Sequence, residues 1–365
     1  MAKAKVSARP GAAKSARRTP RRKPRGALAA ICALLVTSGL LRLAVGASEA
    51  LAREGDTAPK PQLEAALAIT TPAVTAREQS SDGTQKFLVT LADGRTIESV
   101  FIPDTPAMTF CVSTQVGCAM RCGFCLTGQM GLVRNLSAGE IAGQVRVLAR
   151  ELELQDRRFN IVLMGMGEPL FNYDNVAKSL HIIMDGDGIS ISKRRITLST
   201  AGVVPMMERC GEELGVNLAV SLHACTDELR DTLVPINRKY PIAELMAACR
   251  RYTQGKDRKS HIVYEYVMLD GINDSPALAR DLAKLLGDMP AKVNLIPFNP
   301  FPQTDYRRSR PEAIRAFSDV LRQRRIITTI RKTRGDDIDA ACGQLVGRVQ
   351  SRQKNRLRQI PVVTQ

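Results

Sequence analysis

The sequence predicts an α/β protein built as a full or partial β/α barrel, and three observations support this fold class. Apolar strand-like runs alternate with helical patterns about six times in succession. Such repetition implies a parallel sheet, because each crossover helix returns the chain to the same edge. The number and spacing of the units suit a barrel of about six βα units. Each chemically suggestive cluster also follows a predicted strand, where barrels of this kind gather their chemistry.

The individual elements follow from hydrophobic periodicity and from capping signals. One example is Ser137, which opens a Ser-x-x-Glu capping box with Glu140 at the start of a helix. The predicted strands are Met108–Val112, Asn160–Met164, Arg195–Ser199, Val216–Leu222, Ile262–Met268, Lys292–Ile296 and Ile326–Arg331. The predicted helices are Ser137–Leu152, Tyr173–Met184, Val203–Leu214, Ile242–Tyr252, Pro276–Leu286 and Pro311–Arg324.

A small β-hairpin extension precedes the barrel. Residues 86–91 and 95–102 alternate polar and apolar side chains around Asp93-Gly94, which is a strong hairpin signal. We expect order to start near Ser81, because the Ala-, Thr- and Pro-rich stretch before it carries few large apolar side chains. The predicted parts are a basic leader with an apolar run (1–49), a linker (50–80), the hairpin extension (81–104), the barrel core (105–347) and a basic tail (348–365).

Charge and cysteine content narrow the class of partner and compartment. The formal net charge is +17, of which the first 26 residues supply ten and the remaining chain seven. A basic body of this kind suggests a polyanionic partner such as nucleic acid. Nine cysteines without a compact disulfide framework favour a reducing compartment with metal or redox chemistry.

The amino terminus is harder to classify. The apolar run from Ala27 to Leu41 follows a basic stretch, as in a signal or transit peptide. It is shorter than the span of about 20 residues that crosses a membrane comfortably. A misassigned start codon or a fused leader would produce the same pattern. We expect a cytoplasmic protein without stable membrane association, because an exported metal cluster would meet oxidant.

Three cysteines in a CxxxCxxC run dominate the chemistry. Cys118, Cys122 and Cys125 could hold three corners of a four-iron cluster and leave the fourth iron open to bind a small molecule. The alternatives are a zinc knuckle and disulfides. Structural zinc prefers four ligands in two separated pairs, and Cys111 and Cys210 do not complete such a pattern.

A Gly-Met-Gly-Glu-Pro run (165–169) follows the next predicted strand. Its glycines let a ligand approach the backbone, and Glu168 offers a carboxylate to an amine. A phosphate loop would require Lys and Ser or Thr after the last glycine, and a plain tight turn is the other alternative. Beside an open-iron motif, the run suggests capture of the amino group of S-adenosylmethionine.

With these motifs in place, residues from about 80 to 347 resemble the RlmN/Cfr family of radical S-adenosylmethionine (radical SAM) RNA adenine methyltransferases. Pro169 and the Arg-Gly-Asp-Asp run (334–337) are more similar to the RlmN branch, which methylates carbon 2 of adenine. The resemblance implies a partial (β/α)6-type radical SAM barrel. The residues that carry it are Cys-Val-Ser-Thr-Gln-Val-Gly-Cys (111–118), Met-Gly-Met-Gly-Glu-Pro (164–169), Lys-Arg-Arg-Ile-Thr-Leu-Ser-Thr (193–200), Ser-Leu-His (221–223), Val-Pro-Ile-Asn (234–237), Asn-Leu-Ile-Pro-Phe-Asn-Pro-Phe (294–301) and Arg-Lys-Thr-Arg-Gly-Asp-Asp-Ile-Asp-Ala-Ala-Cys-Gly-Gln-Leu (331–345).

The resemblance also implies cofactors and their ligands. One 4Fe-4S cluster would be held by the three cysteines of the CxxxCxxC run, and two molecules of S-adenosylmethionine would be used per turnover. The residues that match the family's cofactor pocket are Gly167, Glu168, Ser199, Ser221, Leu222, His223 and Asn299.

Three further residues match catalytic positions of the family. Cys342 would be methylated first, and a radical formed on that methyl group would add to the base and link protein to RNA. Cys111 would release the product by a transient disulfide with Cys342, and Glu98 would accept the proton that leaves the base. Without the resemblance, a Cys in the context of residues 340–343 is usually a small buried hydrophobe.

The function implied is methylation of adenine at carbon 2 in 23S rRNA, at the adenine-2503 type of site, and of adenine-37 in some tRNAs. The implied partners are these RNAs and an electron donor such as flavodoxin, with the chain acting as a monomer. Residues 1–79 do not resemble the family's helical accessory domain, which leaves RNA docking and full activity open. The rivals are a radical enzyme acting on a small metabolite, a zinc-stapled RNA-binding protein and a catalytically inactive paralogue.

Overall fold

The fold was analysed in a computed structural model, which describes residues 71–103, 108–254, 261–302 and 304–346. Within these residues the strands form one ten-stranded sheet and one two-stranded ribbon. The large sheet has the order β1-β2-β3-β4-β7-β8-β9-β10-β11-β12 and the ribbon pairs β5 with β6. The strands are β1 Ala73–Gln79, β2 Gln85–Thr90, β3 Thr96–Ile102, β4 Thr109–Cys111, β5 Gln115–Gly117, β6 Leu132–Asn135, β7 Asn160–Leu163, β8 Ile196–Thr200, β9 Asn217–Ser221, β10 Ile262–Met268, β11 Ala291–Pro297 and β12 Ile327–Ile330.

Helices connect the parallel strands, as the sequence predicts. The predicted bounds agree with the observed ones to within one or two residues, and the capping box is present, with the Ser137 side chain accepting from the Glu140 amide and the Glu140 carboxylate accepting from the Ser137 amide. The helices are α1 Leu126–Gln129, α2 Ala138–Glu151, α3 Tyr173–Met184, α4 Val204–Glu213, α5 Asp227–Leu233, α6 Ile242–Thr253, α7 Pro276–Leu286 and α8 Pro311–Gln323.

The seven strands from β4 to β12 in the large sheet run parallel and lie side by side in chain order. This confirms the α/β class and a partial barrel, since the sheet ends at β12 on one side and continues into the hairpin on the other. Apolar side chains from the strands and from α2, α3, α4, α6, α7 and α8 form the main core. In such a sheet the loops that leave the carboxyl ends of the strands meet at one edge, where the site is expected.

The hairpin extension is present, but it has three strands. β2 and β3 pair antiparallel around the predicted Asp93-Gly94 turn, and β3 pairs antiparallel with β4. The predicted linker to residue 80 is wrong at its end, because residues 73–79 form strand β1 against β2. Six of the seven side chains of β1 are polar or small, so the strand lacks an apolar signal, and main-chain pairing at the sheet edge holds it.

Other predicted segments lie outside the described residues, namely the leader, the linker up to residue 70 and the basic tail from residue 348. Within the described part of the chain, no helix is both long and apolar enough to cross a membrane.

Candidate active site

The three cysteines of the CxxxCxxC run lie on one loop between β5 and α1, here called the cysteine loop (residues 118–125). The Cys118 amide donates to the Gly131 carbonyl at 3.0 Å, and Cys125 is the residue before α1. Cys118 and Cys122 are buried and Cys125 is half-buried. All three line a single cavity of about 910 Å³, measured with its open mouth.

Burial controls the ionisation of these thiols in the chain alone. It raises the pKa of Cys118 to about 12 and also raises the pKa values of Cys122 and Cys125. A thiolate is the metal-binding form, so a bound cation would have to supply the free energy of deprotonation. No group of three or more ligating side chains in the described ranges converges on one ion. That finding concerns single ions, whereas each cysteine of a 4Fe-4S site binds a different iron.

The glycine run packs tightly against the segment that follows β4. Gly167 has φ +103°, and a Cβ there would lie 2.5 Å from the Cβ of Gln115. A Cβ at Gly165 would lie 2.7 Å from the Oγ of Ser113. Both positions therefore require glycine, and Gly167 needs it for its backbone conformation as well. The close packing brings the next residue, Glu168, to the wall of the cavity.

Glu168 is 3% exposed and its carboxylate is held by two main-chain donors. Oε1 accepts from the Leu170 amide at 3.1 Å and Oε2 accepts from the Ala201 amide at 2.7 Å. Burial raises the pKa of Glu168 to about 7, while these hydrogen bonds act in the opposite direction. Each oxygen keeps a second lone pair for a donor in the cavity, so the group can take an ammonium ligand.

The remaining pocket residues come from the ends of β8, β9 and β11. His223 has φ 61°, and its Nδ1 accepts from the Val267 amide at 3.0 Å. Burial, helped by the charge of Arg230, lowers the pKa of His223 to about 3, so the ring is neutral and Nε2 carries its proton. Ser199, Ser221, His223 and Asn299 line the cavity, whereas Leu222 is fully buried beside it.

The two thiols predicted to react lie at the same cavity or next to it. Cys342 is exposed and lines the cavity, while Cys111 is buried at the end of β4. Burial raises the pKa of Cys111 to about 12, and the proximity of Cys342 adds to the effect. The Asn299 side chain donates to the Cys342 carbonyl at 3.3 Å. Both cysteines are free thiols in this structure.

Glu98 is buried on β3 and does not line the cavity. Its Oε2 accepts from the Val346 amide at 2.9 Å, and its Oε1 lies 3.9 Å from the Nζ of Lys86. In this conformation the carboxylate ties the segment that carries Cys342 to the hairpin extension. A role in accepting a proton from a base therefore requires the Glu98 carboxylate to reach the cavity from this buried position.

Sequence reasoning did not place two charged residues in the cavity. Arg331 follows β12, donates a hydrogen bond to Cys342 and carries the positive charge that acts on Cys111. Glu265 on β10 is 4% exposed; its Oε1 accepts from Asn294 at 3.0 Å, and its Oε2 lies 3.8 Å from the Nη1 of Arg331 without a hydrogen bond. Glu265 lies in the middle of an apolar strand pattern, so no periodicity marks it as functional.

The parallel sheet carries three cysteines on one loop, a glycine run and a buried carboxylate at the same cavity, and this combination is typical of a radical SAM protein. Comparison with known proteins gives the same class. Residues 112–282 match the model of the radical SAM superfamily. The chain is similar to the crystal structure of a radical SAM methyltransferase from Sphaerobacter thermophilus, with 47% identity and a TM-score of 0.76 over 79% of this chain and 86% of that chain. The chain belongs to the radical SAM superfamily, in the same family as that protein.

A weaker likeness is to Streptococcus suis SuiB bound to S-adenosylmethionine, with 12% identity and a TM-score of 0.44 over 62% of this chain and 52% of that chain. The superfamily implies a 4Fe-4S cluster and S-adenosylmethionine. The residues present fit both groups, since three thiols and a buried carboxylate with open lone pairs line one cavity.

Proposed function

We propose that this protein is a radical SAM RNA methyltransferase that methylates carbon 2 of adenine in 23S rRNA and in some tRNAs. The observation that carries the proposal is the position of Cys342. This exposed thiol opens onto the cavity that the three cluster cysteines and Glu168 line, close to the buried Cys111. A radical enzyme that acts only on a small metabolite has no need for this second pair of thiols.

When bound, the cluster and S-adenosylmethionine supply the methyl group and the radical chemistry that an electron-poor sp² carbon requires. The roles of the chain's own residues then follow from their positions. Glu168 orients the ammonium group of the cofactor, and the neutral His223 fixes the wall beside it. Cys342 accepts the methyl group on its sulfur and presents it to the base.

Product release uses the second thiol. The Cys111 thiolate attacks the sulfur of Cys342, so an S–S bond forms and the bond from that sulfur to the methylene carbon breaks. The electron pair stays on the carbon, which takes a proton to complete the methyl group, and an external dithiol reduces the disulfide and is itself oxidised to a disulfide. Arg331 lies close enough to both sulfurs to stabilise the thiolate that attacks.

The surface near Cys342 suits a phosphate backbone. A small pocket next to the cavity is lined by Arg331, Lys332 and Arg334 as well as by Cys342. Cations in such a position bind phosphates with little dependence on base identity. The target base must be unstacked to reach Cys342, as in other base-modifying enzymes. With ribosomal RNA as substrate, the place of action is the cytoplasm, and flavodoxin is a suitable electron donor.

The decisive experiment maps 2-methyladenosine in 23S rRNA and tRNA from cells with and without the gene. We expect the modification to disappear in the deletion strain and to return with the wild-type gene. A gene carrying Cys342→Ala is the matched control and should not restore it. Unchanged 2-methyladenosine in the deletion strain would contradict the proposal.

Mass spectrometry of the purified chain separates the rivals. S-methylcysteine at position 342 supports the RNA methyltransferase over an enzyme that acts on a small metabolite. Bound zinc, with no iron after anaerobic reconstitution, would favour the RNA-binding protein without catalysis.

A further inference from the structure

Arg230, on helix α5, is a buried cation without a carboxylate partner. Its side chain is fully buried. The guanidinium donates to the carbonyls of Leu222 at 3.1 Å, Ala201 at 2.7 Å and Ser221 at 3.0 Å, and to the Oδ1 of Asn237 at 3.0 Å. All four acceptors are neutral. No ion pair within 4.0 Å in the part of the chain that the structure describes involves Arg230.

The acids nearest in sequence are engaged elsewhere. The Asn237 Nδ2 donates to the carboxylates of Asp227 at 2.9 Å and Asp231 at 2.7 Å, while its Oδ1 accepts from Arg230. Burial lowers the pKa of Arg230 to about 10, so the group still carries its charge at neutral pH. An isolated charge in the interior is costly unless an opposite charge compensates it. The described side chains leave this compensation incomplete.

The missing negative charge belongs on the cysteine loop. Helix α5 packs directly against that loop, because the Gly123 amide donates to the Leu233 carbonyl at 3.1 Å and Leu233 shares an apolar cluster with Cys122. Among charged neighbours, Cys122 has the largest influence on the pKa of Arg230, ahead of Asp227.

We propose that Arg230 sets the reduction potential of the cluster held by the cysteine loop, while its hydrogen bonds fix the ends of β8 and β9 against the cofactor pocket. Three thiolates bring three negative charges to the cluster, and one-electron reduction adds another. A buried cation stabilises the more negative state, and low polarity around it strengthens the effect. The inference rests on the cluster assigned in the proposed function and not on the identity of the methylated substrate.

The test is a redox titration of the full chain, reconstituted anaerobically with iron and sulfide. Dithionite supplies the electron in the presence of mediators, and electron paramagnetic resonance reports the reduced cluster, with neither S-adenosylmethionine nor RNA present. The variants are Arg230→Gln, which removes the charge, and Arg230→Lys, which keeps it. The matched control is Arg121→Gln, which removes an exposed charge one residue before Cys122.

At a fixed ambient potential, we expect Arg230→Gln to lower the ratio of reduced to oxidised cluster at least tenfold, which corresponds to about 59 mV for a one-electron couple. In Arg230→Lys and Arg121→Gln the ratio of reduced to oxidised cluster should remain within about threefold of the wild-type value. Arg230→Lys keeps the charge, and the exposed charge that Arg121→Gln removes is already screened by water.

Three results would overturn the inference: an unchanged potential in Arg230→Gln, an equal fall in Arg121→Gln, or a tenfold fall in Arg230→Lys. The melting temperature of each apoprotein is measured alongside. If Arg230 has only a structural role, the melting temperature falls in both Arg230→Gln and Arg230→Lys, while the reduction potentials of the two variants are the same. If Arg230→Gln does not fold, Arg230→Met, which also removes the charge, takes its place with the same expected fall in the ratio of reduced to oxidised cluster. A shifted potential in a chain that methylates no RNA would leave this inference standing, whereas a wild-type chain without iron would overturn it.

Discussion

Two segments face each other across the cavity, and the protein holds them in different ways. The cysteine loop is fixed by main-chain hydrogen bonds and lies within an apolar cluster. The thiol segment (residues 331–346) carries the exposed Cys342 on a turn with the buried Ala341 before it, and side chains of the hairpin extension contact this segment. Ser80 donates to Asp337, Lys86 donates to the Ile338 carbonyl, and Glu98 accepts from Val346.

The difference shows which half of the site is built in advance. The three cysteines proposed as cluster ligands are positioned by burial and by main-chain hydrogen bonds. The thiol proposed to react is instead held through side-chain contacts from Ser80, Lys86 and Glu98, all three of which are buried. The two segments meet where the Leu126 amide, just after Cys125, donates to the Gly343 carbonyl at 2.7 Å. The predictions below test this division.

The largest expected effect is on iron binding and product formation, which should respond differently to substitutions in the two segments. Cys122→Ala should abolish both iron binding and product formation, because it removes one corner of the cluster. Cys342→Ala should also reduce product below detection but retain iron at the wild-type level, since its sulfur holds no metal. Iron content and 2-methyladenosine are measured on the same preparations. Loss of iron in Cys342→Ala would show that the thiol segment takes part in metal binding.

The second prediction concerns Cys111, which lies close to Cys342 of the thiol segment. In Cys111→Ala, Cys342 can still bond to the base but cannot be released, so a covalent protein–RNA adduct should accumulate with at most one product per chain. Denaturing gel electrophoresis with labelled RNA measures the adduct. Cys210→Ala is the control, because this cysteine is buried in the main core. Multiple turnovers in Cys111→Ala would exclude it as the resolving thiol.

The third prediction uses Glu168, which belongs to the preformed half. Its pKa is about 7 in the folded chain against 4.5 for an ordinary glutamate. A raised folded pKa means that its contribution to stability is complete below pH 4.5 and is lost as pH rises through 7. The free energy of unfolding of the apoprotein should therefore fall by up to about 3 kcal/mol between pH 4.5 and 7.

Denaturant unfolding at several pH values measures this fall. In Glu168→Gln the same pH dependence should be smaller, because the titrating group is absent while a side-chain oxygen remains to accept from one amide. An identical slope in wild type and Glu168→Gln would mean that another group causes the pH dependence.

The smallest effect is expected for the contact that holds the thiol segment. Glu98→Ala removes the acceptor of the Val346 amide, so exchange of this amide with deuterium should speed up by the equivalent of about 1 kcal/mol. Glu98→Gln should change the exchange rate much less, because its side-chain oxygen still accepts. An unchanged rate in Glu98→Ala would show that other contacts position this segment.

Much of the barrel could be predicted from local patterns. Strand β10 and helices α3 and α7 have the bounds that periodicity predicts, because each forms a regular element with one buried face. Strand β1 was missed because edge pairing, not side-chain burial, holds it. The ribbon β5–β6 was missed because strands of three and four residues carry no readable period.

The candidate site divides in the same way. The cysteine triad and the glycine run are local motifs, so the sequence predicts them directly. Cys342 lies close to Cys111, and Arg331 lies beside both, although Cys111 is distant from the other two residues in the chain. The proximity of the two thiols was expected only from the family resemblance, and the position of Arg331 was not expected. No sequence pattern marks Arg230 or Glu265. Both side chains are buried, and among the described residues neither forms a hydrogen bond to a side chain of opposite charge, which only the folded structure can show.

The sequence by itself determined the order of the parallel strands and of the six long helices, the cysteine spacing and the glycines that the close turns require. These properties depend on residues that are near one another in the chain. Only the tertiary structure decided that a hairpin carboxylate holds the Cys342 segment, and that a buried arginine lies behind the cysteine loop. The physical reason is that desolvation and charge pairing arise between segments that touch only after the sheet has formed.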